Sequence, residues 1–158
     1  MSKPTFVYVT YIATTPEKIW NVLTDANVTP AFWGGVTVAF EQRVGAPLTM
    51  KRGDATMVNG EITVCDPPHR LAYTFHAEQP EVRHEQASRV SIEIESVPGQ
   101  VKLTVLHEGF AADSKVIGMI SQGWPRIMSS LKSLLETGKV LAPFAVADNQ
   151  CSPQSASR

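Results

Sequence analysis

Long hydrophobic runs are missing from this chain. Nowhere in its 158 residues do about 18 apolar residues follow one another, so no transmembrane helix is expected. Cysteine is scarce as well. Cys65 and Cys151 stand far apart, with no CxxC or other metal-ligand spacing, which argues against a disulfide framework and a thiolate metal site. No HxH, HxxxH or HExxH spacing occurs, so no metal is expected. No Gly-x-Ser-x-Gly elbow, P-loop or Rossmann glycine pattern occurs either, and no cofactor is expected. An excess of one charge is also lacking. Lys and Arg number 14 against 15 Asp and Glu, a net charge of -1, which removes the electrostatic case for nucleic acid or an acidic membrane surface. The first residues, Met1-Ser2-Lys3-Pro4, lead into a strand pattern without a signal-peptide apolar core, and a cytoplasmic location is the expectation.

What is present is the patterning of one ordinary domain. Hydrophobic residues make up 43% and charged residues 18%. A chain of about 150 residues buries roughly 70% of its unfolded surface, enough for its own core. Residues 5–13 alternate β-branched and aromatic side chains and read as a first strand. Thr15-Pro16-Glu17 follows as a helix start, with Thr15 as N-cap or, alternatively, Thr14 and Glu17 as a capping box. Ile19, Trp20, Val22 and Leu23 make the helix amphipathic to about Asp25, and residues 29–32 suit a second short helix stopped by Gly34-Gly35.

From Val36 the signals become those of an antiparallel meander. Residues 36–41, 47–51, 57–65, 70–76, 88–97 and 101–108 are six further candidate strands, divided by glycine, proline and polar turns. Leu71, Tyr73 and Phe75 share one face; Val90, Ile92 and Ile94 share another; so do Val101, Leu103, Val105 and His107. One dry and one wet face is what an antiparallel sheet covering a helix needs.

That helix is expected within residues 113–136. Val116, Ile120, Trp124, Ile127, Leu131, Leu134 and Leu135 recur at spacings of three and four and form one apolar stripe, with Ser129, Lys132, Ser133 and Glu136 on the other side. Pro125 is either an interior step or a first-turn residue, and the preferred reading starts the regular helix near Pro125. Thr137-Gly138 reads as its stop. Residues 139–158 are expected to be a poorly ordered tail beyond a domain of residues 1–138.

Five segments in this order resemble a known family: YIATTPEKIWNVLTD at residues 11–25, FWGG at 32–35, GEITVCDPPHRLAYTF at 60–75, LTVLHEGF at 103–110 and GWPRIMSSLKSLLETG at 123–138. The chain resembles the START-like (SRPBCC) superfamily, and within it the bacterial branch similar to the C-terminal domain of the heat-shock chaperone ATPase activator. Phe75 stands where that branch usually has Trp. The resemblance implies an α+β helix-grip fold: a curved antiparallel sheet of about seven strands around a long C-terminal helix, with two short helices after the first strand. It also implies a cavity between sheet and helix for a lipid, sterol-like, flavonoid or polyketide-like aromatic molecule. Some members of the superfamily are cyclases or dehydratases, but their catalytic residues differ and none carries over by motif. The chaperone-activating role belongs to eukaryotic proteins with an additional N-terminal domain, and it is discounted here.

The expected cavity walls are Trp33, Tyr73, Phe75, Leu103, Val105, His107, Trp124 and Met128, with Met119 as a further wall. His107 stands out because strand alternation aims it inward, where an imidazole can orient a ligand or act as a base; the plainer reading is a structural histidine. Phe32 and Trp33 beside Gly34-Gly35 suit either a lid or a core plug. His76, Arg83, His84 and Glu85 lack the spacing of a metal site, Arg83-His84-Glu85 falling in a polar loop, and Arg83 and Arg89 read as solvated charges at the ends of a hairpin. The expected function is binding of a hydrophobic small molecule by a monomer or homodimer. The rivals are an enzyme of the cyclase, dehydratase or isomerase type built on His107 with Tyr73 or Glu108, and a protein-interaction module.

Overall fold

The structure, a computed structural model, describes residues 4–143. Strand β1 (Phe6–Ile12) is followed by helices α1 (Pro16–Leu23) and α2 (Thr29–Phe32). Six strands come next: β2 (Thr37–Phe40), β3 (Pro47–Arg52), β4 (Ala55–Asp66), β5 (Arg70–Ala77), β6 (Ser88–Val97) and β7 (Gln100–Glu108). Helix α3 (Val116–Thr137) closes the order. All pairings are antiparallel, in the order β1-β7-β6-β5-β4-β3-β2. This is the helix-grip α+β architecture, with the sheet on one side and α3 across it.

Local chemistry explains the element ends. Thr15 caps α1, its Oγ1 accepting from the Lys18 N–H at 3.3 Å, and Pro16 occupies the first turn where its missing N–H costs nothing. The capping-box alternative is not used, since Thr14 Oγ1 is buried without a partner. Thr29, fully buried, accepts from the Val38 N–H at 3.0 Å and so ties α2 to β2. Gly60 lies against β5 so closely that any Cβ would collide with the Thr74 carbonyl. The Pro67–Pro68 bond in the β4–β5 turn is cis. Gly138 takes φ of 83° and donates to the Leu134 carbonyl at 2.9 Å, which ends α3 at the expected place.

The start of α3 corrects the preferred reading. The helix begins at Val116, and Pro125 lies in its interior. Proline removes one helical hydrogen bond. The turns before it bury Val116, Ile120, Gly123 and Trp124 against the rest of the core, and that burial outweighs the lost bond. Outside help comes from the Glu85 carboxylate, which accepts from the Ser114 hydroxyl at 2.5 Å and the Lys115 N–H at 2.8 Å. An anion at the positive end of a helix is favourable. Glu85, expected only as part of a polar loop, is thus the clamp that fastens the β5–β6 loop to α3.

At its far end α3 grips the edge strand. Lys132 donates to the Tyr11 carbonyl at 2.7 Å, and Glu136 accepts from the Ala13 N–H at 2.9 Å while paired with Lys132 at 2.7 Å. Cys65 is a free, partly buried cysteine on β4. The expectation of a poorly ordered tail falls mainly on residues 144–158, and with Cys151 it lies outside the described residues. Among the described residues no helix is long and apolar enough to cross a membrane, and no group of His, Cys, Asp and Glu could hold a metal ion.

Candidate functional site

Between the N-terminal half of α3 and the sheet there is a cleft of about 550 Å³, counted out to its open mouth. Its interior is narrow. β3, β4 and β5 supply Met50, Met57, Val58, Phe75 and Ala77; the segment after α2 supplies Trp33 and Val36; α3 supplies Val116, Met119, Ile120, Gly123, Trp124 and Ile127. Gln79, just past β5, completes the lining. No lining residue is charged.

Four of the expected wall residues, Trp33, Phe75, Met119 and Trp124, line this cleft. The Trp33 and Trp124 rings meet edge to face with centroids 5.6 Å apart, and Phe32 packs against Trp33 at 5.8 Å. Tyr73, Leu103, Val105, His107 and Met128 do not line it. They share the inward face but are buried in the packed core. Alternation identifies the inward face of a strand; it says nothing about which part of that face the helix covers. The lining residues that strand reading left out are Val36, Met50, Met57, Val58, Ala77 and Gln79. One signal was available for Gln79: it keeps the odd parity of Phe75 and Ala77 beyond the strand end.

His107 sits behind the cleft, fully buried, with its ring 4.8 Å from Phe75 and 4.7 Å from Phe110 between centroids. Both of its nitrogens are engaged. Trp124 donates its indole N–H to Nδ1 at 3.1 Å, so Nδ1 must be the unprotonated nitrogen. Nε2–H then donates to the Ser88 hydroxyl at 2.8 Å, and Ser88 donates on to the Phe75 carbonyl at 3.3 Å. The chain of donors runs one way and ends on backbone. A second proton on His107 would face the indole N–H, and burial pushes the imidazole pKa down to about 3. The imidazole is held neutral, with both nitrogens engaged.

Tyr73 presents a different case. Its hydroxyl is buried with no hydrogen-bond partner, and burial holds its pKa far above the ordinary phenol range. Of the groups considered for acid–base chemistry, His107, Tyr73 and Glu108, none lines the cleft. On β5, His76 sends Nδ1 to the Glu78 carboxylate at 2.7 Å and Nε2 to the Arg83 carbonyl at 2.9 Å. Glu78 also accepts from Asn59 at 3.0 Å, which pins the β5–β6 loop to β4.

A long helix held across a seven-stranded antiparallel sheet, with an apolar cleft between them, defines a START-like helix-grip domain. More narrowly, the chain belongs to the family of activator of Hsp90 ATPase homolog 1-like proteins, whose model matches residues 13–136. No curated protein matches it. Among solved structures it is similar to a protein of Mesorhizobium loti, at 23% identity and a TM-score of 0.73, covering 84% of this chain and 96% of that one. It is also similar to the Aha1 dimer of Colwellia psychrerythraea, at 20% identity and a TM-score of 0.70, over 86% of this chain and 98% of that one. An HSP90 activator of Plasmodium falciparum matches at 23% identity and a TM-score of 0.64, over 76% of this chain and 86% of that one. At these identities the likeness is one of fold.

Proposed function

We propose that the protein binds a flat, apolar small molecule in the cleft between the sheet and the N-terminal half of α3. The observation that carries this reading is the lining: three aromatic rings and three methionines around one space, with no charge among them. Aromatic walls favour ring compounds of the flavonoid or polyketide type over a lipid with an ionised headgroup. Met50, Met57 and Met119 make the narrow space adaptable, since an unbranched thioether repacks around irregular guests. Native mass spectrometry of the purified protein, followed by a thermal-shift screen of flavonoid-like and polyketide-like compounds, tests it. Ligands should raise Tm, and Met119→Trp, which fills the cleft from a partly exposed helix position, should abolish the shift. A protein that no ring compound stabilises would refute the reading.

A second reading concerns a partner copy. Val7, Val9 and Tyr11 form an apolar row on β1, an edge strand, at 56%, 43% and 44% exposure. The Colwellia psychrerythraea relative is a dimer. Pairing of two copies through β1 would cover this row. Light scattering should then give a dimer mass that Val9→Lys halves; a monomer mass for the unaltered chain would end this reading.

A further inference from the structure

Gln79 is out of place in the cleft lining. Apart from the indole N–H groups of Trp33 and Trp124, its side chain brings the only polar groups among the lining residues. The Trp124 N–H is already committed to His107. Both amide atoms of Gln79, Nε2 and Oε1, are buried and neither has a hydrogen-bond partner.

The backbone at this position is firmly held. The Gln79 carbonyl accepts from the Val82 N–H at 3.0 Å and from the Arg83 N–H at 2.9 Å, and Val82 itself is buried. His76 and Glu78 anchor the same loop from one side and Glu85 from the other. The loop thus keeps an amide against an apolar space where it satisfies nothing. Leaving such a group unpaired is costly, and a leucine or methionine would fill the same position without that cost.

We infer that Gln79 is the polar recognition group of the cleft and that it selects a neutral, flat ligand carrying a hydrogen-bond donor beside an acceptor, as on the edge of a lactam or imide. This rests on the cleft being a ligand site and specifies its ligand. A primary amide presents N–H and C=O side by side, and a cis-lactam edge pairs with both at once. An ionised carboxylate accepts but cannot donate, and it would meet no cation among the lining residues. A hydrocarbon ring would leave both amide atoms unpaired. The narrow interior must widen for a two-ring guest, and the methionine walls are the side chains able to yield.

The probes are 2-quinolinone, its 1-methyl derivative, which has lost the donor, and 2-naphthoate, an anion of similar size. Binding to the full chain and to Gln79→Met is measured by calorimetric titration, and Tm by thermal melting without ligand. The unaltered protein should prefer 2-quinolinone over the methylated compound by about ten-fold, the equivalent of one good hydrogen bond, with 2-naphthoate weakest. Gln79→Met should lose most of that preference, which separates the hydrogen bond from the bulk of the methyl group. The same substitution should raise Tm by about 2–4 °C, because it removes two unpaired polar atoms from a buried place.

A preference that survives in Gln79→Met, or a Tm that falls, would overturn the inference. Equal binding of the lactam and its methylated form, abolished for both by Met119→Trp, would leave the cleft as a ligand site and remove Gln79 from recognition. Failure of all three probes to bind would count against the ligand site itself and the inference with it.

Discussion

Trp124 donates its indole N–H to Nδ1 of His107 at 3.1 Å, and this one bond joins the wall of the cleft to the buried imidazole behind it. The wall residue is thereby held in one rotamer, and the histidine in one tautomer. Trp124→Phe would leave Nδ1 buried without a donor. A stability loss of about 1–3 kcal/mol is expected from the unpaired acceptor, before any loss of packing. Urea denaturation measures it; a change within error would show that the bond contributes nothing.

The same imidazole should make the protein sensitive to acid. In the unfolded chain His107 takes up a proton near its ordinary value of 6.5, whereas in the folded protein burial delays this to about pH 3. Between those values the unfolded state binds more protons, so stability falls as pH falls, by up to about 1.4 kcal/mol per unit. Above about pH 6.5 both states are neutral at this site and the effect vanishes. His107→Gln should be less stable at neutral pH but should show a flatter decline between pH 6.5 and 4. Equal slopes in urea melts across that range would refute the assignment.

His76 should behave in the opposite sense. Its hydrogen bond to Glu78, reinforced by the Arg83 carbonyl, raises its pKa above the ordinary value and outweighs partial burial. The stabilisation is therefore full below about pH 6.5 and is lost as pH rises through the raised value. The pair is a third exposed, so the energetic effect is small. An NMR titration of the ring protons should place His76 above its Glu78→Gln counterpart. Coincident curves would mean that the pair does not form in solution.

Gly60 tolerates no side chain. A Cβ there would strike the Thr74 carbonyl, a backbone atom that cannot rotate away. Gly60→Ala should force β4 away from β5 and cost about 2 kcal/mol or more, a steric effect that thermal melting would register as a fall in Tm. An unchanged Tm would show that the two strands can part at no cost.

Lys132 and Glu136 hold the edge strand through the Tyr11 carbonyl and the Ala13 N–H just beyond it. Lys132→Met should loosen residues 11–13 without unfolding the domain. Faster amide exchange at Ala13, with little change elsewhere, is the expected outcome in hydrogen-exchange measurements. Unaltered exchange there would show that Lys132 does not help to hold this edge.

The order of elements along the chain, the two short helices, the inward faces and the end of α3 were all legible because each follows from local periodicity or from a turn residue. The alternation of Val90, Ile92 and Ile94 places them inside whatever the rest of the chain does. The helix stop at Gly138 is similarly local. Pro125 was misplaced because its local preference for a first turn opposes a tertiary term, the burial of Val116, Ile120 and Trp124.

The division between cleft and core lay beyond the sequence for a related reason. Tyr73 and Phe75 are two residues apart on one face of one strand, yet Phe75 lines the cleft and Tyr73 is packed away from it. Strand parity is the same for both. The sequence by itself determined the element order, the inward faces and the apolar stripe that joins them, because these depend on residues a few positions apart. Only the tertiary structure decided where the stripe stands clear of the sheet and which residues meet across that gap. The partnering of His107 and the isolation of Gln79 were decided there too, since both depend on how the sheet meets α3 and the β5–β6 loop, a relation between elements distant in the chain.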